Sequence, residues 1–338
     1  MQPDFFMQSP TILAIESSCD DTSAAVFKNG KVVSNFICNQ KIHEQYGGVV
    51  PELASRDHLK NIVPVVEEAL KQSNTKLEDV DVFACTVAPG LIGSLMVGVC
   101  YAKGLAFAMN KPLIGVNHMQ AHVLANFIDE PMPKFPCLCL TVSGGHTQIV
   151  LIKNFLEQEV IGETLDDAAG EAFDKTAKML GLPYPGGPLV DKYAQLGNAK
   201  AYDFPEPKIA DLNFSFSGLK TSVLYFLQKQ KLANSNFVEE NLNDICASVQ
   251  QRIVSILLNK LSKASSQTGI NEICIAGGVS ANSGLRQMAT DLAKQKGWNL
   301  YIPEFEYCTD NAGMIAITAY QKFLKKEFDD LSLSPMAR

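Results

Sequence analysis

The sequence has no surplus of basic residues. Its 338 residues include 29 Lys and Arg against 36 Asp and Glu, which gives a formal net charge of −7. This balance argues against a surface that binds nucleic acid through bulk positive charge, although a local basic strip or a basic partner could still provide one. Hydrophobic residues at 46% and charged residues at 19% indicate a folded globular protein, long enough for two lobes.

Paired cysteine motifs and a long unbroken apolar run are also missing. The nine cysteines include no CxxC pair, so we expect buried free thiols in a reducing cytoplasm. The N-terminus has an early Asp4 and no basic stretch, which argues against a signal peptide. The most apolar run, 91–109, is interrupted by Lys103 and three glycines, which favours a buried helix over a membrane span. These features predict a cytoplasmic protein without a membrane contact.

Several familiar nucleotide-binding and catalytic signatures do not occur. Neither GxGxxG nor GxxxxGK[ST] is present, so neither a Rossmann dinucleotide site nor a P-loop is indicated. No Ser-His-Asp or Cys-His set is evident. The zinc-protease pattern HExxH fails because position 119, directly after His118, is Met and cannot supply the general base.

What the sequence does contain is a pair of histidines one helical turn apart. His118 and His122 have the i, i+4 spacing that lets two imidazoles bind one metal ion, although such a pair is often only part of a core or a surface. Asp310, in the polar turn "YCTDNAG", is the best candidate for a third ligand. The alternative for Asp310 is the N-cap of the helix that follows.

The chain also contains an internal echo. The segments 11–35 and 136–155 both have the pattern of an apolar strand, a small polar turn and a second apolar strand. Periodic helical stretches follow at 50–74, 166–182 and 242–267. Two hairpins, each opening one half of the chain, predict a duplicated α/β domain, and the proline-rich segment 129–136 is a plausible linker.

A strand, a glycine turn and a helix start come together at "ICIAGGVSAN", 273–282. Free N–H groups and the helix dipole at such a point favour an anion or a nucleotide, although a tight connection alone would also need glycine. Together with the two hairpins, this motif resembles the ATP cleft of the actin, hexokinase and Hsp70 superfamily.

Two acidic segments have both a structural and a functional interpretation. Asp174 and Gly187 could contact a sugar, since a carboxylate accepts a ribose hydroxyl and glycine allows close backbone approach, or the segment could be a solvated helix face. In the first hairpin, Glu16, Asp20 and their neighbours Ser18 and Asp21 could hold a phosphate-bound cation or assist proton transfer, and turn formation explains them nearly as well.

Taken together, these motifs resemble one family over nearly the whole chain, from about residue 11 to about residue 325. The matching stretches include "IESSCDDTS", "YGGVVPELASRDH", "NHMQAH", "VSGGHTQ", "FSFSGLKT" and "GGVSAN". They are similar to the TsaD family of tRNA N6-adenosine threonylcarbamoyltransferases, formerly termed O-sialoglycoprotein endopeptidases, and to its bacterial type.

The resemblance implies a two-lobed actin-like ATPase fold with duplicated ribonuclease H-like domains. The expected N-terminal lobe is 1–130, completed by a C-terminal helix at about 311–338, and the expected C-terminal lobe is 131–310, with a ligand cleft between them. The implied reaction transfers threonylcarbamoyl from threonylcarbamoyl-adenylate to N6 of adenosine 37 in ANN-decoding tRNAs and releases AMP.

The resemblance also implies the site residues. His118, His122 and Asp310 would bind one divalent metal, Fe²⁺ or Zn²⁺. The substrate or phosphate site would be lined by Thr141, Val142, Ser143, Gly144 and Gly145. The nucleotide-bearing substrate would be bound by Asp174, Gly187, Asp191 and Asn282, with an adenine nucleotide, either threonylcarbamoyl-adenylate or ATP, in the cleft. Asp20 is the candidate acceptor of the amine proton.

The implied partners are tRNA, an inactive paralogue (TsaB) that forms a heterodimer, the small ATPase TsaE, and an upstream threonylcarbamoyl-adenylate synthase. Because the chain is acidic, partners would complete the RNA surface, with local help from Arg56, Lys60, Lys103 and Arg252. Competing functions are a metallopeptidase, a small-molecule kinase of the same fold, and a non-catalytic scaffold.

Overall fold

The structure is a computed structural model that describes residues 9–337. Contacts between residues divide the chain into two compact units. The first holds the described residues up to 42, 49–130 and those from 310 onward, and the second holds 43–48 and 131–309. The argument against a signal peptide concerns largely residues 1–8, which lie outside the described residues. The predicted lobe boundaries and the predicted ligand cleft stay predictions.

The first unit is a five-stranded mixed sheet in the order β3-β2-β1-β4-β5. Its strands are β1 (Ile12–Glu16), β2 (Asp21–Lys28), β3 (Lys31–Asn39), β4 (Val82–Ala88) and β5 (Leu113–Asn117). Its helices are α1 (Pro51–Gln72), α2 (Ile92–Met109), α3 (His118–Leu124) and α10 (Ala312–Leu324). The first three strands pair antiparallel, and β1, β4 and β5 run parallel. The carboxyl ends of β1, β4 and β5 therefore meet at one edge of the sheet.

Alternation along the strands gives this sheet two apolar faces. Leu13 and Ile15 of β1 pack in one core with the buried residues of α1 and α2. Phe27 points to the opposite face, since neighbouring side chains alternate along a strand, and its ring lies 4.6 Å from Tyr320 of α10. Burial on both faces explains why β1 is apolar up to its last residue, Glu16, a position that carries a charge inside the protein.

The second unit repeats this architecture. Its strands are β6 (Cys137–Val142), β7 (Thr147–Asn154), β8 (Glu157–Glu163), β9 (Glu272–Ala276) and β10 (Asn299–Tyr301), in the order β10-β9-β6-β7-β8. Its helices are α4 (Ala169–Met179), α5 (Gly186–Ala194), α6 (Ser217–Ala233), α7 (Phe237–Glu240), α8 (Leu242–Thr268) and α9 (Ser283–Lys296). As in the first unit, the hairpin strands pair antiparallel and the last two join in parallel.

The two sheets have the same topology when β1–β5 are matched in order to β6–β10. This confirms the predicted duplication, the α/β class and the actin-like fold. The three predicted helices are present, although the second begins at Ala169, after the acidic pair Asp166 and Asp167. Asn241 flanks the start of the third helix, α8.

The apolar run 91–109 forms α2. It is the one helix in the described residues that is long and apolar enough to cross a membrane, and a third of its most apolar window is buried. Its small residues let it lie close to the sheet: a Cβ at Gly98 would stand 2.3 Å from the Ser17 hydroxyl. Lys103 donates to the Leu333 carbonyl at 2.9 Å. All nine cysteines are free and six are buried.

Candidate functional site

Three side chains of the first unit converge on one point. Helix α3 begins at His118 because Asn117 caps it, accepting hydrogen bonds from the backbone N–H groups of Met119 and Gln120. The helical turn then places His122 on the same face as His118, and both rings are buried. Asp310 comes from the other end of the chain, just before α10.

Asp310 is not the N-cap of α10. That position belongs to Asn311, whose side chain accepts from the backbone N–H of Met314 at 3.0 Å. The carboxylate of Asp310 is therefore left to face the histidines, and the alternative interpretation of this residue was wrong.

The distances among the three donors suit a single metal ion. His122 Nε2 lies 3.1 Å from His118 Nε2 and 3.1 Å from Asp310 Oδ1, and His118 Nε2 lies 3.5 Å from Asp310 Oδ1. Ligand atoms about 2.1 Å from one ion at tetrahedral angles stand about 3.4 Å apart. Two imidazoles and one carboxylate are also ligands typical of Zn²⁺ and Fe²⁺. These residues form a possible metal site.

A buried carboxylate supports the first histidine from behind. Glu16 Oε2 lies 3.1 Å from His118 Nδ1, and the hydroxyl of Ser18 lies 3.2 Å from the same nitrogen. Glu16 is itself held by the backbone N–H of Ser18 and the hydroxyl of Thr86, both at 2.5 Å. A metal-binding imidazole commonly donates its other N–H to a carboxylate, which fixes the tautomer and the orientation of the ring.

The two carboxylates around His118, those of Glu16 and Asp310, need a positive charge beside them. Burial alone would raise the pKa of Glu16 and of Asp310, but His118 opposes it and holds both pKa values below their ordinary range. Burial likewise disfavours charge on His118, yet Asp310 and Glu16 raise its pKa well above the usual value. The buried carboxylate of Glu16 and the half-buried carboxylate of Asp310 thus require a positive charge, which either a proton on His118 or a metal ion can provide.

The remaining acidic residues of the hairpin have other surroundings. Asp20 lies in the turn between β1 and β2, and its catalytic role stays a prediction. Asp21 accepts from the Asn39 side chain at 2.7 Å, and burial raises its pKa to about 7.

The nitrogen Nδ1 of His122 is buried and has no hydrogen-bond partner within residues 9–337.

The second unit contains a cavity of about 250 Å³ at the ends of β6 and β9. Its lining combines glycines, apolar residues and three polar side chains: Gly144, Gly170, Phe173, Asp174, Pro185, Gly187, Pro188, Asp191, Gly278, Val279, Ala281 and Asn282. A mostly apolar cavity with a few convergent polar groups is typical of small-ligand sites.

The polar residues of this cavity are held in place by helix starts. Asp174 Oδ1 accepts from the backbone N–H groups of Gly186 and Gly187, both at 2.9 Å, at the beginning of α5. Burial raises the pKa of Asp174, and these two hydrogen bonds oppose that rise. Asp191 accepts from the backbone N–H and the hydroxyl of Ser283 at 3.0 and 2.7 Å.

Asn282 caps α9. Its Oδ1 accepts from the Leu285 N–H at 2.8 Å, and its Nδ2 donates to Gln250 Oε1 at 2.7 Å. Its side chain therefore shapes the cavity wall through contacts inside the protein.

The predicted substrate-binding residues are only partly brought together. Gly144, Asp174, Gly187, Asp191 and Asn282 line the cavity. Thr141 and Val142 are buried within β6, and Ser143 and Gly145 belong to the β6–β7 turn without lining the cavity.

The remaining cavity residues were not predicted individually. All of them lie in two stretches of the sequence, "GEAFDKTAKMLGLPYPGGP" at 170–188 and "GGVSAN" at 277–282, so these stretches were the available signal. Glycine at position 170 is required by tertiary packing, because a Cβ there would stand 2.5 Å from the Ser143 carbonyl oxygen.

Comparisons with known proteins agree with these features. Residues 31–317 match the family model described as TsaD: tRNA N6-adenosine threonylcarbamoyltransferase. Proteins of that name from Christiangramia forsetii and Thermodesulfovibrio yellowstonii are 59% and 48% identical to this chain. The alignments cover 98% and 96% of this chain and 98% of each relative.

Solved structures share the fold at low sequence identity. HypF in its phosphate- and nucleotide-bound form has a TM-score of 0.64 at 14% identity, covering 97% of this chain and 49% of HypF. Component A of (R)-2-hydroxyglutaryl-CoA dehydratase from Acidaminococcus fermentans has a TM-score of 0.55 at 18% identity, covering 93% and 99%. At this identity the similarity concerns the fold alone.

Proposed function

Because this chain belongs to the TsaD family of tRNA N6-adenosine threonylcarbamoyltransferases, we propose that it transfers a threonylcarbamoyl group from threonylcarbamoyl-adenylate to N6 of adenosine 37 in ANN-decoding tRNAs. The new bond joins N6 to the carbamoyl carbon, the bond from that carbon to the phosphate oxygen breaks, and AMP leaves. The observation that carries the proposal is the convergence of His118, His122 and Asp310 at ligand distances in a chain of this family.

The proposed metal ligands are the Nε2 atoms of both histidines and Asp310 Oδ1. A bound Fe²⁺ or Zn²⁺ would supply positive charge that stabilises a developing oxyanion or leaving phosphate. Glu16 has a defined part in this arrangement: by accepting a hydrogen bond from His118 Nδ1–H, it would leave the Nε2 lone pair available to bind the metal.

The cavity of the second unit is the proposed adenylate site. Asp174 is held by two backbone amides through Oδ1, and its carboxylate can accept a ribose hydroxyl through the other oxygen. Gly187 allows the ligand to approach the backbone, and Asp191 and Asn282 hold the start of α9 beside it. The segment from Thr141 to Gly145 stays in the proposal because it contains Gly144, which lines the cavity.

Proton removal from the attacking amine is assigned to Asp20. This residue follows Ser18 and Cys19 in a turn whose Ser18 hydroxyl lies 3.2 Å from His118 Nδ1, so it belongs to a hairpin that contacts one of the proposed metal ligands. No base is available at position 119, where a metallopeptidase of the HExxH kind would need one.

We propose cytoplasmic action together with tRNA, a TsaB-like paralogue, a TsaE-like ATPase and an upstream synthase that makes the adenylate. The four basic residues expected to meet RNA are already engaged within this chain: Arg56 with Glu52, Lys60 with Asp57, Lys103 with Leu333, and Arg252 with Asp203 and Glu206. These contacts favour a larger share of the RNA surface from partners.

The proposed paralogue face lies on α1 and α2. Leu59 and Val63 of α1 are 65% and 44% exposed, and Met96 of α2 is 51% exposed. Exposed apolar side chains on neighbouring helices are typical of a protein interface. Leu59→Glu with Val63→Glu should abolish heterodimer formation in size-exclusion chromatography, and unchanged assembly would reject this face.

The transfer assay tests the proposed function directly. The purified chain is mixed with threonylcarbamoyl-adenylate and unmodified tRNA, with and without the partners, and the digested nucleosides are measured by mass spectrometry. We expect modified adenosine with the unaltered chain, none with His118→Ala, and normal product with Gln120→Ala, a control from the same helix. If no product forms with partners present, a kinase or hydrolase activity of the same fold takes its place.

A further inference from the structure

His58 is a buried histidine of α1 that the metal cluster does not use. Its Nε2 lies 3.0 Å from the carbonyl oxygen of Cys19, which can only accept, so Nε2 carries the ring proton. Its Nδ1 is therefore an acceptor, and the hydroxyl of Thr22 lies 2.8 Å from it. Burial lowers the pKa of His58, in agreement with a neutral ring. The two ring nitrogens thus bind the β1–β2 hairpin at Cys19 in its turn and at Thr22 near the start of β2.

Helix α2 holds the same turn from another side. The hydroxyl of Ser94 donates to the Cys19 carbonyl at 3.0 Å, and the hydroxyl of Ser17 donates to the Ser94 carbonyl at 2.9 Å. The backbone N–H of Leu91 donates to the Ser18 carbonyl at 2.7 Å. Residues 17–19 are therefore each anchored to a helix.

This turn is the segment that contacts the first histidine of the metal cluster. Glu16 and Ser18, on either side of Ser17, lie 3.1 and 3.2 Å from His118 Nδ1. A displacement of the turn changes both contacts at once. Because groups behind a ligand fix the orientation of its ring, such a displacement would misdirect His118 Nε2.

We propose that His58 is a positioning residue for the metal site: by clamping the Cys19 carbonyl, it holds Glu16 and Ser18 against His118. The proposal rests on the metal site of the proposed function. It assigns a role to a histidine that lies on α1, outside the cluster of metal ligands.

The test measures zinc affinity by competition with a chelating dye, using the full chain without tRNA or nucleotide. His58→Leu removes both hydrogen bonds at similar volume and should weaken zinc binding about tenfold, the lower end of the effect of losing an outer support. His58→Gln keeps a donor for the Cys19 carbonyl and should recover most of that loss. Gln120→Ala should bind zinc like the unaltered chain.

A double variant separates positioning from a general structural role. If His58 acts through Glu16, the tenfold effect of His58→Leu should largely disappear in a Glu16→Gln background, since the two changes share one pathway. Equal effects in both backgrounds, or zinc affinity unchanged in folded His58→Leu, would overturn the proposal. If His58→Leu does not fold, Ser94→Ala removes the other donor to the same carbonyl and provides the same comparison.

A metal-free measurement distinguishes failure of this proposal from failure of the proposed function. Ring-nitrogen NMR shifts of His118 in the zinc-free chain should change in His58→Leu and stay unchanged in Gln120→Ala. Absence of zinc binding by the unaltered chain would reject the proposed metal site, and the NMR shifts would still decide whether His58 positions His118.

Discussion

The two units have one sheet topology and two different chemistries. In the first, Glu16 ends β1 and Ser18 lies in the turn that follows, and both contact His118, a proposed metal ligand. In the second, the turn after β6 is "SGGH", and Gly144 opens into a cavity. The end of the first strand and the turn after it thus carry a charged side chain in one unit and open into a cavity in the other. A duplicated scaffold fixes where a site can form, and a few turn residues decide what kind of site it is.

The shared geometry is clearest at one pair of glycines. Gly90 follows β4, and a Cβ there would stand 2.5 Å from the Ser18 carbonyl oxygen. Gly277 follows β9, and a Cβ there would stand 2.5 Å from the Val142 carbonyl oxygen. Each glycine lets the strand-to-helix connection touch the backbone of its own hairpin. Both units share this close backbone contact, so it is a feature of the common fold and does not depend on which site each unit carries.

The largest expected effect is on the transfer rate, and it should leave AMP binding unchanged. Asp310→Ala removes one of the three proposed metal donors and should lower the transfer rate about a thousandfold, because the lost charge is worth several kcal/mol in the transition state. AMP affinity, measured by calorimetry, should stay unchanged, since the cavity residues lie in the second unit. A parallel loss of AMP binding would contradict the assignment of metal and nucleotide to different units.

The next prediction compares the two glycines. Gly277 has φ of +85°, whereas Gly90 does not have positive φ, so alanine adds backbone strain only at Gly277. We expect Gly90→Ala to cost about 2 kcal/mol from crowding and Gly277→Ala about 1–2 kcal/mol more. Thermal melting followed by circular dichroism measures the difference. Equal melting temperatures for the two variants would show that strain at Gly277 is relieved by local adjustment.

A smaller effect should be confined to the second unit. Asp174→Asn removes the negative charge while keeping one oxygen for the amides of Gly186 and Gly187, so AMP affinity should fall about tenfold, the worth of one hydrogen bond to a charged group. Zinc affinity should not change. Glu171→Gln, on the same helix, is the matched control. If that control also weakens AMP binding, the general charge of the helix is responsible.

The sequence predicted what is local and periodic. Both sheets follow from alternating apolar runs and turn residues, and His118 with His122 follows from helical spacing. The support of His118 by Glu16 could not be predicted in the same way. These residues are 102 positions apart and meet because β1, β4 and β5 are adjacent in one sheet. Sheet order is a tertiary outcome that no local pattern encodes.

The cavity shows a second limit of sequence reasoning. The predicted run 141–145 crosses the end of β6, and only Gly144 lines the cavity. Thr141 and Val142 remain paired in the strand, with Gln148 and Thr147 as their partners. A strand end is uncertain by a residue or two in any sequence pattern, and one residue decides whether a side chain is buried or faces a ligand.

The smallest expected effect is a change of melting temperature with pH, caused by the charges at the proposed metal site. The folded chain raises the pKa of His118, so protonation stabilises the metal-free protein below the unfolded value of about 6.5, and this stability is lost as pH rises through the folded pKa. Zinc-free protein should therefore melt at a lower temperature at pH 9 than at pH 6. The difference should be a few degrees, since 1 kcal/mol corresponds to about 2–4 °C. Zinc-saturated protein should lose less, because a bound ion would supply the positive charge in place of the proton. His118→Gln should flatten the pH profile of the zinc-free chain by comparison with Gln120→Ala, and an unchanged profile would show that another group balances Glu16 and Asp310.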